Sequence, residues 1–349
     1  MNIIIPAYIT NENKTEIILD QIYVTIESYY SHGNQGNFLV YTNSPAIVAG
    51  LHHYNEVFQR NVAPIIIDFE KEWKQLNLSI SDTRTRKSFI ISKMLIPFIF
   101  DDDFLLLDWD ILTTGYIPPS IIKSDKLRLY NPKLYDGYSL RQNSFYKGLF
   151  PEAHIGNNKW LNSGMVYSPK GLARQLISEY WEKFDSVTEQ VYKNIFLHDI
   201  IDDELIYNIM ILDGDNRVEE YTGHNLNIVL RTFYHDFSNI KSMYSFGKDF
   251  PNILNIHFSA GHIKPYDVII DDSGKLHFPI EVESYAVDRA TIKWLFDMSQ
   301  HRMGSFHYNA LMFSIIWQYT RYTIKEKLES NPASLSIRYQ DFFNKIFIK

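Results

Sequence analysis

Apolar runs and polar breaks alternate along the first two thirds of the chain at intervals that suit strands and helices in turn. Ile3-Ile4-Ile5-Pro6-Ala7-Tyr8 is a short apolar run of the length of a buried strand. A polar turn, Thr10-Asn11-Glu12-Asn13, leads into Lys14 to Tyr30, where Ile17, Ile18, Ile22, Val24 and Ile26 recur at helix-like spacing. Phe38-Leu39-Val40-Tyr41 predicts a second strand, closed by Thr42-Asn43-Ser44-Pro45, and Ala63-Pro64-Ile65-Ile66-Ile67 a third. Strands that are apolar on both faces and joined through a helix belong to a parallel sheet covered by helices.

Beyond that opening, Ser81-Asp82-Thr83 has the composition of a helix N-cap, with a helix predicted from about Arg84 to Phe98. Phe104-Leu105-Leu106-Leu107 predicts a strand ending on Asp108. Further strands are expected at 162–167 and 252–257, with one or two helices between Ser186 and Leu212. The character changes near Asp267. Asp271-Asp272-Ser273-Gly274-Lys275 reads as a hairpin turn, and Tyr285 to Lys349 as a mostly helical, aromatic-rich tail broken at Asn331-Pro332. The expected organisation is an α/β domain over residues 1–270 and a helical extension over 271–349.

Composition narrows the function. The 349 residues carry a formal charge of −7, which argues against nucleic acid as the main partner, because neutralising phosphates requires a basic surface. With no cysteine there is neither a disulfide nor a thiolate metal site. The first residues lack the pattern of a signal peptide, and no apolar stretch is long enough to span a bilayer. The expectation is a cytoplasmic protein. From Asp288 onward nine Lys and Arg face five Asp and Glu, a local balance of 9 − 5 = +4 that opposes the whole. Trp294, Phe296, Phe306, Tyr308, Phe313, Trp317, Tyr319 and Tyr322 lie among these charges. Such a tail fits peripheral contact with the inner face of an anionic membrane, and equally a helical cap on the catalytic domain or a homo-oligomer contact.

Two segments could carry chemistry. In Asp108-Trp109-Asp110 two carboxylates stand i, i+2 at the end of an apolar strand. On an extended backbone both would point to one side, into the crevice where α/β sheets bind ligands. Two such oxygens suit a hard divalent ion, although Asp is also common in solvated loops at strand ends. Later, Asn255-Ile256-His257 predicts a strand delivering an imidazole, and Gly261 and Lys264 follow. A glycine permits close backbone approach to a ligand and Lys supplies a mobile cation. His257 alone suits a core histidine as well as a metal ligand.

Taken together, these segments resemble the family of retaining glycosyltransferases that contains glycogenin and bacterial lipopolysaccharide galactosyltransferases, family eight. Leu106-Leu107-Asp108-Trp109-Asp110 is similar to its strand ending in D-x-D. His257 through Gly261 to Lys264-Pro265-Tyr266 is similar to its late H-x-x-G-x-x-K-P-W, with one extra residue between His and Gly and Tyr for Trp. Leu161-Asn162-Ser163-Gly164-Met165-Val166 resembles its F-N-x-G-v strand, and Asp202-Asp203-Glu204-Leu205-Ile206-Tyr207-Asn208 its D-Q-x-I-L-N helix start, with Asp203 in place of Gln. The order of the four agrees, over residues 1–266. The resemblance implies a GT-A type, Rossmann-like mixed sheet flanked by helices. It implies hexose transfer from a UDP-sugar to a glycan acceptor with retention, in the synthesis of a surface polysaccharide or lipopolysaccharide. Asp108, Asp110 and His257 would hold Mn²⁺, or Mg²⁺ in its place. Lys264 and Gly261 would meet the diphosphate, Asn162 the donor sugar, and Lys93 the donor, with Arg84, Arg86 and Lys87 competing for that last role. Trp109, inside the D-x-D, Ala7 and Tyr8 would border the nucleotide, where Tyr8 could stack on the base or be a plain core tyrosine. Asp202 and Asp203 fall near the reacting carbon, a place also suited to acidic capping of a helix. A nucleotide-sugar hydrolase and a non-catalytic carbohydrate- or membrane-surface-binding protein on the same scaffold are the alternatives.

Overall fold

The computed structural model describes residues 1–78, 87–113, 115–130, 162–192, 203–221, 228–229, 255–257, 269–270 and 276–277, together with 324 and 328. Its centre is a seven-stranded mixed sheet in the order β3-β2-β1-β4-β7-β6-β8. β1 (Asn2–Ala7), β2 (Asn37–Thr42), β3 (Ala63–Ile66) and β4 (Phe104–Leu107) run parallel. β7 (Met165–Ser168) is antiparallel to β4 and to β6 (Leu127–Tyr130), and β8 (Val218–Tyr221) parallels β6. A three-stranded sheet joins β5 (Ile111–Thr113), β10 (Asn255–His257) and β9 (Ile228–Val229).

Period-two alternation sorts the central strands onto two cores. Ile3, Ile5, Ala7, Phe38, Val40, Leu105 and Leu107 point to one face. There they meet Ile22, Val24, Ile26 and Tyr29 of α1 (Thr15–Ser31) and Ile47, Leu51 and Tyr54 of α2 (Pro45–Phe58). Ile4, Tyr41, Phe104 and Leu106 point to the other. That face packs on α3 (Phe69–Gln75), α4 (Lys87–Ile99), α6 (Leu172–Tyr192) and α7 (Glu204–Leu212), while the short α5 (Pro119–Ile122) contributes Ile122 to the first core. Both faces being covered explains why these strands read as unbroken apolar runs.

The predicted strands at the start, at 104–107 and at 255–257 are present. α2 was not expected. Pro45 at the first helical position suits its missing N–H, and Ile47, Leu51, Tyr54 and Val57 are buried at helical spacing. α6 starts at Leu172, well before the helix expected from Ser186. Asn162, Ser163 and Gly164 form a bend before β7 rather than part of the strand. β11 (Ile269–Ile270) and β12 (Leu276–His277) pair antiparallel on either side of the expected hairpin turn. The turn itself, the predicted N-cap at 81–83 and nearly all of 285–349 lie outside the described residues. Ile324 is buried in the first core, Leu328 packs against it, and the Leu328 carbonyl lies 2.8 Å from His53 Nε2 on α2. This part of the extension therefore rests on the α/β domain. Among the described residues no helix is long and apolar enough to cross a membrane.

Candidate metal centre

β1 and β4 are adjacent, and the chain leaves β1 for β2 on one side and reaches β4 on the other. Such a switch point opens a crevice at the carboxyl ends of the strands. Asp108 follows β4 directly, and its N–H donates to the Gly164 carbonyl (2.9 Å), tying it to the bend before β7. The two aspartates do not stand on an extended strand. Trp109 and Asp110 make a turn, and the chain then enters β5. The Thr25 hydroxyl donates to the Trp109 carbonyl (2.7 Å), Ser28 Oγ accepts the Thr113 N–H (3.1 Å), and the Trp109 ring packs on the first core. The turn is thereby held to α1 at both ends.

Register brings in the imidazole. β10 pairs antiparallel with β5 so that His257 stands opposite Ile111, next to Asp110. His257 Nε2 lies 3.0 Å from Asp110 Oδ1 and 3.3 Å from Asp108 Oδ2. One donor atom from each of Asp108, Asp110 and His257 lies within 4.8 Å of the others, the spread expected of ligands around one cation. The metal set read from the sequence is thus brought together, by a turn and a strand register rather than by alternation along one strand. Burial opposes charge on His257, but Asp110 and Asp108 outweigh it and raise the imidazole to about pKa 9. In the metal-free protein an imidazolium stands where the cation would balance the carboxylates.

The residues fit a divalent ion. Two carboxylates and one imidazole are the hard-to-borderline donors that such ions accept. His257 Nδ1, the nitrogen turned away from the carboxylates, lies 2.8 Å from Asn162 Oδ1, the outer contact expected of a ligating histidine.

Around these three is a buried cationic bridge. Lys93 of α4 places Nζ 2.7 Å from Asp108 Oδ1, 2.7 Å from Asp203 Oδ2 and 3.3 Å from Ser163 Oγ. Burial disfavours the ammonium, yet the two carboxylates overcompensate and raise its pKa. Burial likewise works against the Asp108 anion, and Lys93 with His257 pulls its pKa below the ordinary value. Asp203 precedes α7, but its side chain caps no backbone N–H; it accepts from Lys93 and from the Ser163 hydroxyl. It stands at the N-cap position of α7, where its charge still faces the helix dipole.

Asn162, expected at the donor sugar, is buried and fully engaged within the protein: Oδ1 accepts the Gly164 N–H (2.8 Å) and faces His257, and Nδ2 donates to Glu204. Ala7 closes β1 in the first core, and Tyr8 just beyond it stacks on Phe69 (5.0 Å between centroids) with its hydroxyl on Glu70 (2.8 Å). Arg84, Arg86, Asp202, Gly261 and Lys264 lie outside the described residues. Ser163, Gly164 and Glu204 had no assigned part. A Cβ on Gly164 would sit 2.3 Å from His257 Cε1, so only glycine admits the ring. The glycine inside the N-x-G pattern was the available signal.

No protein-family model matches the sequence, and no curated protein matches it. Solved structures do. The galactosyltransferase LgtC, solved with donor and acceptor sugar analogs, is 16% identical with a TM-score of 0.50, over 76% of this chain and 89% of that one. The chain has a GT-A fold. Mouse xyloside xylosyltransferase 1 is also similar, at 11% identity and a TM-score of 0.52, over 74% of this chain and 97% of the other. The GT-A neighbours are glycosyltransferases, a galactosyltransferase among them, as the resemblance to family eight implies.

Proposed function

We propose that this protein is a metal-dependent retaining glycosyltransferase that moves a hexose from a UDP-sugar to a glycan acceptor, in the assembly of a surface glycan. The observation that carries the reading is the convergence of Asp108, Asp110 and His257 at the carboxyl ends of β1 and β4. Mn²⁺, or Mg²⁺, suits that donor set and would act as a Lewis acid toward the leaving diphosphate. The chain's own groups have definable tasks. Asp108, Asp110 and His257 would hold the cation. Lys264 adds positive charge against the diphosphate, with Gly261 letting the backbone approach. Asp203, with Asp202 beside it, sets negative charge near the anomeric carbon, where an oxocarbenium-like sugar develops positive charge. Lys93 keeps Asp108 and Asp203 apart from each other's repulsion and in place. Trp109, Ala7, Tyr8 and Arg86 border the donor. The tail around Ile324 and Leu328 serves to cover the domain, and peripheral membrane contact is proposed for the tail as a whole.

A thermal-shift screen of nucleotide sugars with Mn²⁺ tests donor binding, because a ligand that binds only the folded state raises the melting temperature by mass action. A UDP-hexose should do so in the presence of Mn²⁺ and not in its absence. Asp110→Ala should lose roughly 10²- to 10³-fold in transfer rate, the scale of removing one preorganised charge-stabilising group. Undiminished transfer by that variant in chelator would end the metal reading.

A further inference from the structure

Glu204 is a buried carboxylate at the first residue of α7, and the mechanism above gives it no task. Its oxygen accepts from Asn162 Nδ2. That contact and one other leave the Asn162 amide a single orientation. The atom facing the Gly164 N–H at 2.8 Å must be the carbonyl oxygen, since a backbone N–H only donates. The atom facing Glu204 must be the amino group, since a carboxylate only accepts. The same Asn162 oxygen lies 2.8 Å from His257 Nδ1. An oxygen cannot donate, so Nδ1 must carry the hydrogen. Without a cation Nε2 also carries a hydrogen, toward Asp108 and Asp110; a metal that displaces it meets the Nε2 lone pair, because the hydrogen on Nδ1 is already held by Asn162.

We propose that Glu204 and Asn162 are positioning residues that together set the proton of His257 on Nδ1 and so present Nε2 to the metal. Resting on the metal reading of the site, this extends it from the ligands to what orients them. The arrangement is a carboxylate–imidazole–metal relay with an amide inserted in the middle. The insertion solves a problem of reach: Glu204 stands on α7 and His257 on β10, and the amide at the bend before β7 touches both. Gly164 serves twice, giving Asn162 its orienting N–H and leaving room for the ring.

The tautomer is read with a diamagnetic divalent ion bound. Two-bond ¹H–¹⁵N correlation spectra of histidine-labelled protein saturated with Mg²⁺, which takes the place of the Nε2 hydrogen, should show a ring protonated on Nδ1 alone. Asn162→Ala and Glu204→Ala should shift it toward the Nε2–H form and weaken Mn²⁺ binding roughly 10- to 100-fold by calorimetry, the usual cost of losing an outer-shell partner. The exchange variant Asn162→Asp/Glu204→Gln keeps an acceptor on Nδ1 and a donor-to-acceptor match behind it. It should restore the Nδ1–H form and most of the affinity, which a merely structural role would not. Circular dichroism melts confirm folding, and the wild-type spectrum decides the matter even if single variants fail to fold. An Nε2–H ring in the wild type, or an unchanged tautomer in both alanine variants, overturns the relay. A wild type whose His257 signals do not move with Mg²⁺ and that binds no Mn²⁺ would overturn the metal reading instead.

Discussion

His257 stands between two carboxylates whose attraction exceeds the cost of burying its charge, so near neutral pH the metal-free ring is an imidazolium with a pKa of about 9. A cation entering on Nε2 must displace a proton. Mn²⁺ titrations near pH 7 in buffers of different ionisation enthalpy should therefore show about one proton released per ion, with apparent affinity rising up to about pH 9. Identical heats in all buffers would contradict this. The same shift has a folding consequence. A pKa raised in the folded state adds stability that is complete below the unfolded value, about 6.5, and is lost as pH rises through about 9. The melting temperature of metal-free wild type should fall across that window more steeply than that of His257→Gln. Gly164→Ala tests the packing beside the ring. With its Cβ 2.3 Å from Cε1, the variant should lose about 1–3 kcal/mol to overpacking and at least about tenfold in Mn²⁺ affinity. Lys93→Met leaves Asp108 and Asp203 without their buried counter-charge and should cost about 3 kcal/mol in chemical denaturation. Added Mn²⁺ should return part of it by supplying positive charge at Asp108.

Helix and strand boundaries show where local sequence suffices. β1, β2 and β4 were legible because strands covered on both faces leave unbroken apolar runs. α2 was not, because Pro45 sat in a stretch that reads as a turn, although Pro is well placed at a helix's first position. The D-x-D was legible as a pair of candidate ligands, but the turn that brings them together was not. Its convergence comes from a turn pinned to α1 by Thr25 and Ser28, contacts with no short-range signal. Glu204 was hidden for a similar reason: an acid at a helix start is normally explained by the dipole, and only its contact with Asn162 shows another use. Between α1 and α2, Glu27 accepts from the Tyr54 hydroxyl (2.6 Å) and pairs with Arg60 (2.9 Å). Tyr54→Phe removes one charge-assisted hydrogen bond from this buried contact and should cost about 1.5–3 kcal/mol, read from urea denaturation.

At the scale of the whole molecule, the division expected at residue 270 meets a contact that crosses it. Ile324 is buried in the core built by β1, α1 and α2, and Leu328 reaches His53. Removing residues 285–349 should lower the melting temperature and uncover apolar surface, detectable as dye binding. An unchanged melt would mean that the tail is an independent unit. The paired register of β5 and β10 has a consequence for synthesis. The seven strands of the main sheet are all encoded by Tyr221, yet the third candidate ligand, His257, comes later in the chain. A chain ended before His257 would carry every strand of the main sheet and still lack one of the three donor groups, which only the pairing of late β10 with early β5 completes.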